Sequence, residues 1–301
     1  MKILVFGSLN IDYTYDVEHF VVAGETLSSL DLNEFVGGKG LNQAVALSKA
    51  GGEVYHAGCI GKDGTHLLKY LNDAGVNTEY VHVCDDMRTG HAIIQRNTTG
   101  DNCILLYSGA NTSIEKSYID EVLKNFNSGD FIVLQNEIND VPYIVEQAHE
   151  RGMKIVLNPS PMNEKLRDVE LDKIDYLILN EIEAAQILDI KDSEGQSSFE
   201  FLSDALVSKH SGLHVVLTLG SKGSIYKDRN RSLTQKCYKT NVVDTTGAGD
   251  TFLGYFVTMI SKNEDIQKSM DIASIAAAFA VGKNGAAASI PYLREITEGN
   301  V

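Results

Sequence analysis

The run Val243-Asp244-Thr245-Thr246-Gly247-Ala248-Gly249-Asp250-Thr251-Phe252 sets two carboxylates around a string of small residues that leads into an apolar stretch. Small residues with free backbone N–H groups at a helix N-terminus form an anion hole, because several donors and the positive end of the helix dipole converge there. A carboxylate beside such a hole opposes the anion unless it has chemistry of its own to do, and accepting a proton is chemistry an aspartate can do. Asp250 therefore reads either as a general base or as the N-cap of the following helix, and spacing alone leaves both readings open. A second segment, Phe35-Val36-Gly37-Gly38-Lys39-Gly40-Leu41-Asn42-Gln43, has glycines that let backbone approach a ligand closely. Lys39 and Asn42 add polar contacts there, although a plain strand-to-helix turn fits the same residues.

A third group recurs just past the apolar runs. Asn10 and Asp12 follow residues 2–6, Asn136 and Glu137 follow 131–134, and Asn158 follows 154–157. Asn180 and Glu183 follow 176–179, and Thr218-Leu219-Gly220-Ser221-Lys222-Gly223 closes the run that begins at 215. Taken singly, each is a cap or turn residue. Recurring at one edge, they describe a shared polar site, since ligands of open α/β sheets bind beyond the carboxyl ends of the strands. Asp, Glu and Asn are rich in acceptors, which suits a ligand covered in hydroxyls. The P-loop pattern G-x-x-x-x-G-K-[ST], a G-x-G-x-x-G after the first strand, G-x-S-x-G and H-E-x-x-H are all missing. Their absence argues against a P-loop ATPase, a dinucleotide site, a serine hydrolase and a zincin.

The elements that must carry these residues alternate. Strand-like runs fall at 2–6, 53–59, 131–134, 154–157, 176–179 and 215–219. Helix-like stretches fall at 41–50, 64–74, 114–125, 141–151, 181–188, 199–209, 250–261 and 265–282. Strands alternating with helices predict a doubly wound, mostly parallel α/β sheet with helices on both faces. Continuous apolar runs such as Phe131-Ile132-Val133-Leu134 fit strands covered on both sides. Residues of about 11–36 and 89–107 break the rhythm, reading as strands joined by polar turns without helices. They predict antiparallel strands of a small appendage on a single domain spanning 1–301.

A chain of 301 residues with 43% hydrophobic residues can bury a sizeable core. Its 26 Lys+Arg against 41 Asp+Glu leave a net charge of −15, which repels nucleic-acid backbones and anionic membranes. A bound anion would then need local positive potential from a helix end, a metal ion or one placed lysine. Cys59, Cys84, Cys103 and Cys237 form no C-x-x-C pair, so neither zinc nor a disulfide framework is expected. No apolar run is long enough to span a membrane, and the opening MKILVFGSLN lacks signal-peptide features, so a soluble cytoplasmic protein is expected.

Together these segments resemble the ribokinase-like (PfkB) family of carbohydrate kinases along nearly the whole chain. GSLNID from Gly7, AGET at 23–26 and GGKGLNQA from Gly37 are similar to the first signature of that family. DTTGAGDTF from Asp244 is similar to the second, with LNPSP at 157–161, NEIE at 180–183 and TLGSKG at 218–223 between them. The resemblance implies the ribokinase-like fold with a strand lid and ATP-dependent phosphorylation of D-ribose at its 5-hydroxyl. It implies Asp250 as the base, and the N–H groups of Gly247, Ala248 and Gly249 around the transferring phosphoryl group. Asn10, Asp12, Gly38, Lys39, Gly40, Asn42 and Glu137, with Asp250, would hold the sugar. Asn180, Thr218 to Gly223, Gly249 and Ser274 would line ATP, and Glu183 would act indirectly on Mg2+. Asp244, Thr246, Ala280, Lys283, Gly285 and Ser289 would surround a K+ ion, with direct neutralisation of Asp244 by Lys283 as the competing reading. Leu41 stands where the first signature often has alanine, and Ala286-Ala287-Ala288 where polar residues or proline are common before the serine. The resemblance also implies a homodimer paired through the lids, which would cover Val21, Val22, Ile93 and Ile94. A kinase for another sugar or a nucleoside, and a non-catalytic sugar-binding regulator, are the alternatives.

Overall fold

The computed structural model describes residues 1–190 and 198–298. In chain order the first elements are β1 (Lys2–Phe6), β2 (Asn10–Asp16), β3 (Asp31–Gly37), α1 (Lys39–Lys49), β4 (Glu53–Gly61), α2 (Thr65–Asp73) and β5 (Asn77–Cys84). Next come β6 (Gly90–Arg96), β7 (Asn102–Tyr107), α3 (Lys116–Leu123), β8 (Phe131–Leu134), α4 (Val141–Glu150), β9 (Lys154–Leu157), β10 (Tyr176–Asn180), α5 (Glu181–Ile187) and α6 (Phe199–Lys209). The chain continues with β11 (His214–Thr218), β12 (Ser224–Lys227), β13 (Ser232–Gln235), α7 (Ala248–Ser261), α8 (Ile266–Val281) and α9 (Leu293–Glu298).

Alternation along the central strands explains the layering. Ile3 and Val5 of β1 enter one apolar layer, Leu4 and Phe6 the other, and none of the four has exposed surface. Phe131 and Val133 against Ile132 and Leu134 repeat the pattern on β8, as a strand with a two-residue period covered on both faces must. Helices α1, α2, α7 and α8 cover the first layer, while α3, α4 and α6 cover the second. The nine strands run in the order β13-β12-β11-β10-β9-β8-β1-β4-β5. All neighbours from β11 to β5 are parallel, and β12 and β13 add an antiparallel edge. From β1 the chain winds outward through β4 on one side and β8 on the other, which makes its carboxyl end a topological switch point.

The doubly wound expectation is borne out. Sequence periodicity missed β5, β12 and β13, whose strands lie at the sheet margins and carry polar residues such as Asn77, Glu79 and Gln235. The two rhythm-breaking segments form a separate four-stranded sheet of order β3-β2-β6-β7. Each segment is an antiparallel hairpin, as expected, but the two join through a parallel β2–β6 pair, Asn10 opposite Gly90 through Asp16 opposite Arg96. Among the described residues no helix is long and apolar enough to cross a membrane.

Helices α1 and α7 cross at unusually short range because Gly254 faces Ala46. A Cβ at Gly254 would lie 2.7 Å from Leu47 N and closer still to Ala46 Cβ. Gly254→Ala should therefore overpack the crossing and cost about 1–3 kcal/mol, read as a lower Tm in thermal melts. A Tm equal to that of the parent protein would show that the crossing has slack.

Candidate active site

Asp250 lies in the first turn of α7 and is 7% exposed. Its Oδ2 accepts from Asn42 Nδ2 at 3.2 Å, and its Oδ1 accepts from Gln43 Nε2 at 2.8 Å. It does not cap its helix: the N-cap is Gly247, in the left-handed conformation at φ 75°. A side chain at 247 would also meet Ala286, so both backbone and space call for glycine there. Lys39, at the start of α1, completes the group. The Asp250 charge, supported by Glu137 and Glu183, raises its ammonium above the ordinary lysine range, although burial pulls the other way.

A second polar cluster gathers where β1 and β8 end. Glu137 Oε2 accepts from the Lys39 backbone N–H at 2.9 Å and from the Ser8 hydroxyl. Ser8 in turn accepts from the Gly40 N–H at its Oγ, 3.2 Å, and from the Leu41 N–H at its carbonyl, 3.0 Å. Asn10 is 4% exposed, and its Oδ1 accepts from Asn111 Nδ2 at 2.8 Å. Asp12 is half-buried over Gly37. Burial, then the nearby Glu137 charge, pushes its carboxyl up to about 6. Asn42 Oδ1 is buried without a hydrogen-bond partner, an acceptor available to a ligand hydroxyl.

On the other side of Asp250 opens a cavity of about 1070 Å³. Thr218, Gly220, Ser221 and Gly223 form one wall, Ser274 stands on another, and Ala248 and Gly249 close its floor. Gly249 meets nothing within 4 Å where a Cβ would stand, so this turn presents bare backbone. The Ala248 N–H leans on the Thr245 carbonyl at 3.3 Å. Two residues of the TLGSKG run turn away from the cavity. Leu219 is 7% exposed and bonded through its N–H to the Gly223 carbonyl, while the Lys222 ammonium sits 4.7 Å from the Phe199 ring. Sequence reading gave no role to the opposite wall, which includes Lys239 to Val242; that segment has neither a motif nor a regular period to reveal it.

The Asn180–Glu183 spacing folds as a reciprocal capping box. Asn180 Oδ1 accepts from Glu183 N at 2.8 Å, and Glu183 Oε2 accepts from Asn180 N at 3.0 Å. Both residues still stand at the carboxyl end of β10, with Asn180 opposite Thr218. Among the described residues no cluster of three or more His, Cys, Asp or Glu side chains is placed to hold a metal.

Asp244 ties two turns together. Its Oδ1 accepts from the Thr246 N–H at 2.9 Å and the Thr246 hydroxyl at 2.6 Å, and its Oδ2 from the Gly285 N–H at 2.9 Å. Burial pushes its carboxyl up, but these donors and the charge of Arg96 outweigh it and hold the group below the usual range. Lys283 points instead to Glu295, 3.8 Å away, so it does not neutralise Asp244. Ser289 Oγ donates to the Ala286 carbonyl at 2.8 Å, and the Ala280 carbonyl accepts from the Lys283 N–H at 3.0 Å. Asn136 is likewise turned away from the site, holding the Ser160–Pro161 turn through its N–H and its amide. Ser8, Gln43, Asn111 and Gln135 entered without being singled out for roles; position just past β1 and β8 is the signal that marks Ser8 and Gln135.

The chain matches the model of the pfkB family of carbohydrate kinases over residues 1–293. It is 34% identical to a ribokinase of Staphylococcus aureus strain COL over 308 residues, covering 99% of both chains. Its structure is similar to that of a ribokinase from Cryptococcus neoformans in complex with ADP, with a TM-score of 0.87, 31% identity and 99% of both chains covered. An Arabidopsis thaliana ribokinase complexed with ribose and ATP aligns with a TM-score of 0.86 and 29% identity, covering 98% of this chain and 97% of that one.

Asp12 yields a test of the site's electrostatics. Between 3.8 and about 6 the folded protein holds a proton that the unfolded chain has released, so the cost of this carboxylate to stability grows as pH rises through that window. Above the window it is fully present, about 2–3 kcal/mol from the size of the shift. Asp12→Asn should therefore raise Tm at pH 7.5 and leave it nearly unchanged at pH 4, measured by thermal melts at both values. No gain at pH 7.5 would mean that the carboxylate is solvated.

Proposed function

Because the chain belongs to the pfkB family of carbohydrate kinases, we propose that it transfers the γ-phosphoryl group of ATP to the 5-hydroxyl of D-ribose. The observation that carries this reading is the buried Asp250 carboxylate, set between the polar cluster at the ends of β1 and β8 and the large cavity floored by Ala248 and Gly249. A ribokinase complexed with ribose and ATP, aligned along nearly the whole chain, supports the choice of substrates.

In this reading the sugar lies against Asn10, Asp12, Glu137 and Asn42, with Gly38, Lys39 and Gly40 bringing backbone close to it. Acceptors dominate that set, as a polyol of hydroxyl donors requires. Asp250 accepts the proton of the attacking hydroxyl. Its two oxygens already take one N–H each, and a carboxylate has about four acceptor sites, so lone pairs remain for that proton. The bare turn Gly247–Gly249 at the head of α7 faces the transferring phosphoryl group, where N–H donors and the helix dipole offset its charge. Phosphoryl transfer asks for positioning and charge neutralisation more than covalent chemistry, which is what such a site supplies. The cavity takes the nucleotide between Thr218–Gly223 and Ser274. Mg2+ would arrive on the ATP phosphates and neutralise their charge, with Glu183 and Asn180 at the carboxyl end of β10 acting on it indirectly.

We extend the proposal to a K+ ion beside the anion hole. Asp244 draws the Thr246 and Gly285 turns together by accepting their N–H groups, and its remaining lone pairs with carbonyl oxygens of those turns would suit a large, weakly hydrated cation. The Ala280 carbonyl, already spent on helix-terminal N–H groups, fits the set least well. The whole chain would act as one catalytic domain in the cytoplasm, where thiols such as its four free cysteines stay reduced. Two copies would pair through their lids: Leu105 is 68% exposed and Ile104 60%, with Leu32 and Phe35 also open to solvent on the same sheet. Such apolar strand surface invites a partner.

Asp250→Asn keeps size and loses the base, so kcat with ribose and ATP should fall about 10²–10⁴-fold while ribose affinity changes little. A coupled assay over ribose, 2-deoxyribose, fructose and adenosine tests the substrate; preference for fructose or adenosine would replace ribose. K+ should raise turnover several-fold over Na+ at constant ionic strength, and Asp244→Ala should abolish that response; equal rates in both salts would remove the cation. Light scattering at micromolar concentration should give a dimer, and Leu105→Asp a monomer; a monomeric parent protein would refute lid pairing.

A further inference from the structure

Gln43 has no exposed surface, and every hydrogen-bonding position that faces its neighbours is engaged. Its Nε2 donates to Asp250 Oδ1 at 2.8 Å and to Asn158 Oδ1 at 3.1 Å, while its Oε1 accepts from Gln135 Nε2 at 2.7 Å. The direction of this chain is imposed from outside. Asn158 Nδ2 donates to the Ile178 carbonyl at 2.9 Å, and a carbonyl can only accept. Asn158 must therefore turn its oxygen toward Gln43, and Gln43 must answer with its NH2. A flipped Gln43 would set its own oxygen against both the Asn158 oxygen and the Asp250 carboxylate. Gln135 takes up the remaining Gln43 oxygen, with its own Oε1 packed against Gly7 and lacking a hydrogen-bond partner.

A backbone carbonyl of β10 thus sets which atom of α1 meets a carboxylate on α7. This matters because the terminal torsion of an aspartate is soft, and an unrestrained carboxylate turns freely about it. Asn42 on Oδ2 and Gln43 on Oδ1 hold opposite oxygens and stop that rotation. The charged group that acts on Asp250 is Lys39 of α1, whose ammonium also feels Glu137 beyond β8 and Glu183 of α5. Gln43, Asn158 and Gln135 are neutral, so their contribution is direction and not net charge.

We infer that Gln43 is a positioning residue for phosphoryl transfer: oriented by Asn158 and Gln135, it locks the plane of the Asp250 carboxylate so that free lone pairs remain for the attacking hydroxyl. The inference rests on the reading of Asp250 as the base. A near-attack geometry lost by a small rotation slows the chemical step without loosening the bound sugar.

The test compares Gln43→Met, which keeps length and removes the donors, with Asp250→Asn, using ribose and ATP. Gln43→Met should lower kcat about tenfold or more and leave the ribose KM within about threefold. If Gln43→Met does not fold, the double variant Gln43→Met with Gln135→Met removes both ends of one buried hydrogen bond and is read in the same way. Unchanged kcat overturns the inference, as does a lower Tm with kcat and KM altered in parallel, which marks a merely structural role. Wild-type turnover in Asp250→Asn would instead overturn the base assignment itself, so the two failures are distinguishable.

Discussion

A carboxylate buried at the meeting of two helices is the constraint on which this molecule turns. Removing Asp250 from water is unfavourable unless donors replace the water it loses, and Asn42 and Gln43 of α1 supply them. They can do so only because α1 and α7 approach closely at Ala46 and Gly254. The apolar face of α7, from Phe252 through Val257, anchors the same helix in the core. Packing and chemistry are thus set by one crossing.

The electrostatics of the site follow from that placement. With a net charge of −15, the chain has little positive potential to spare. It nevertheless places Asp12 and Glu137 near one another, and the neighbouring Glu137 helps raise the Asp12 carboxyl to about 6. Lys39 is drawn the other way by Asp250 and is held charged. Local positive potential comes from this one lysine and from the N–H groups at the head of α7. Groups kept at such a cost to stability are expected where binding needs acceptors.

Much of this was legible in the sequence, because its strongest signals have simple physical origins. Continuous apolar runs such as 131–134 mark strands covered on both faces, and all six strands read that way belong to the large sheet. Polar residues past those runs marked the site edge, and Asn10, Asp12, Glu137 and Asn158 gather there. What escaped had weaker local signals. Strands β12 and β13 are short, and the edge strand β5 carries polar residues because one side meets solvent. The turned-away Leu219 and Lys222 lie within a motif whose backbone, and not every side chain, forms the wall. Gln43 and Gln135 lie 92 residues apart, and no local pattern reveals that their amides meet.

The order of the chain gives the α1–α7 crossing a consequence for synthesis. Asn42, Gln43, Gln135 and Asn158 are all made well before residues 248–261, which form α7. Until that helix docks, the Asn42 and Gln43 amides lack the carboxylate they point to, and the first apolar layer lacks Phe252, Leu253, Tyr255, Phe256 and Val257. A nascent chain halted before α7 exposes much of its apolar surface and leaves a polar cleft unsatisfied. A polar cleft cannot settle ahead of the core, because the helix that carries Asp250 is also the one that closes it.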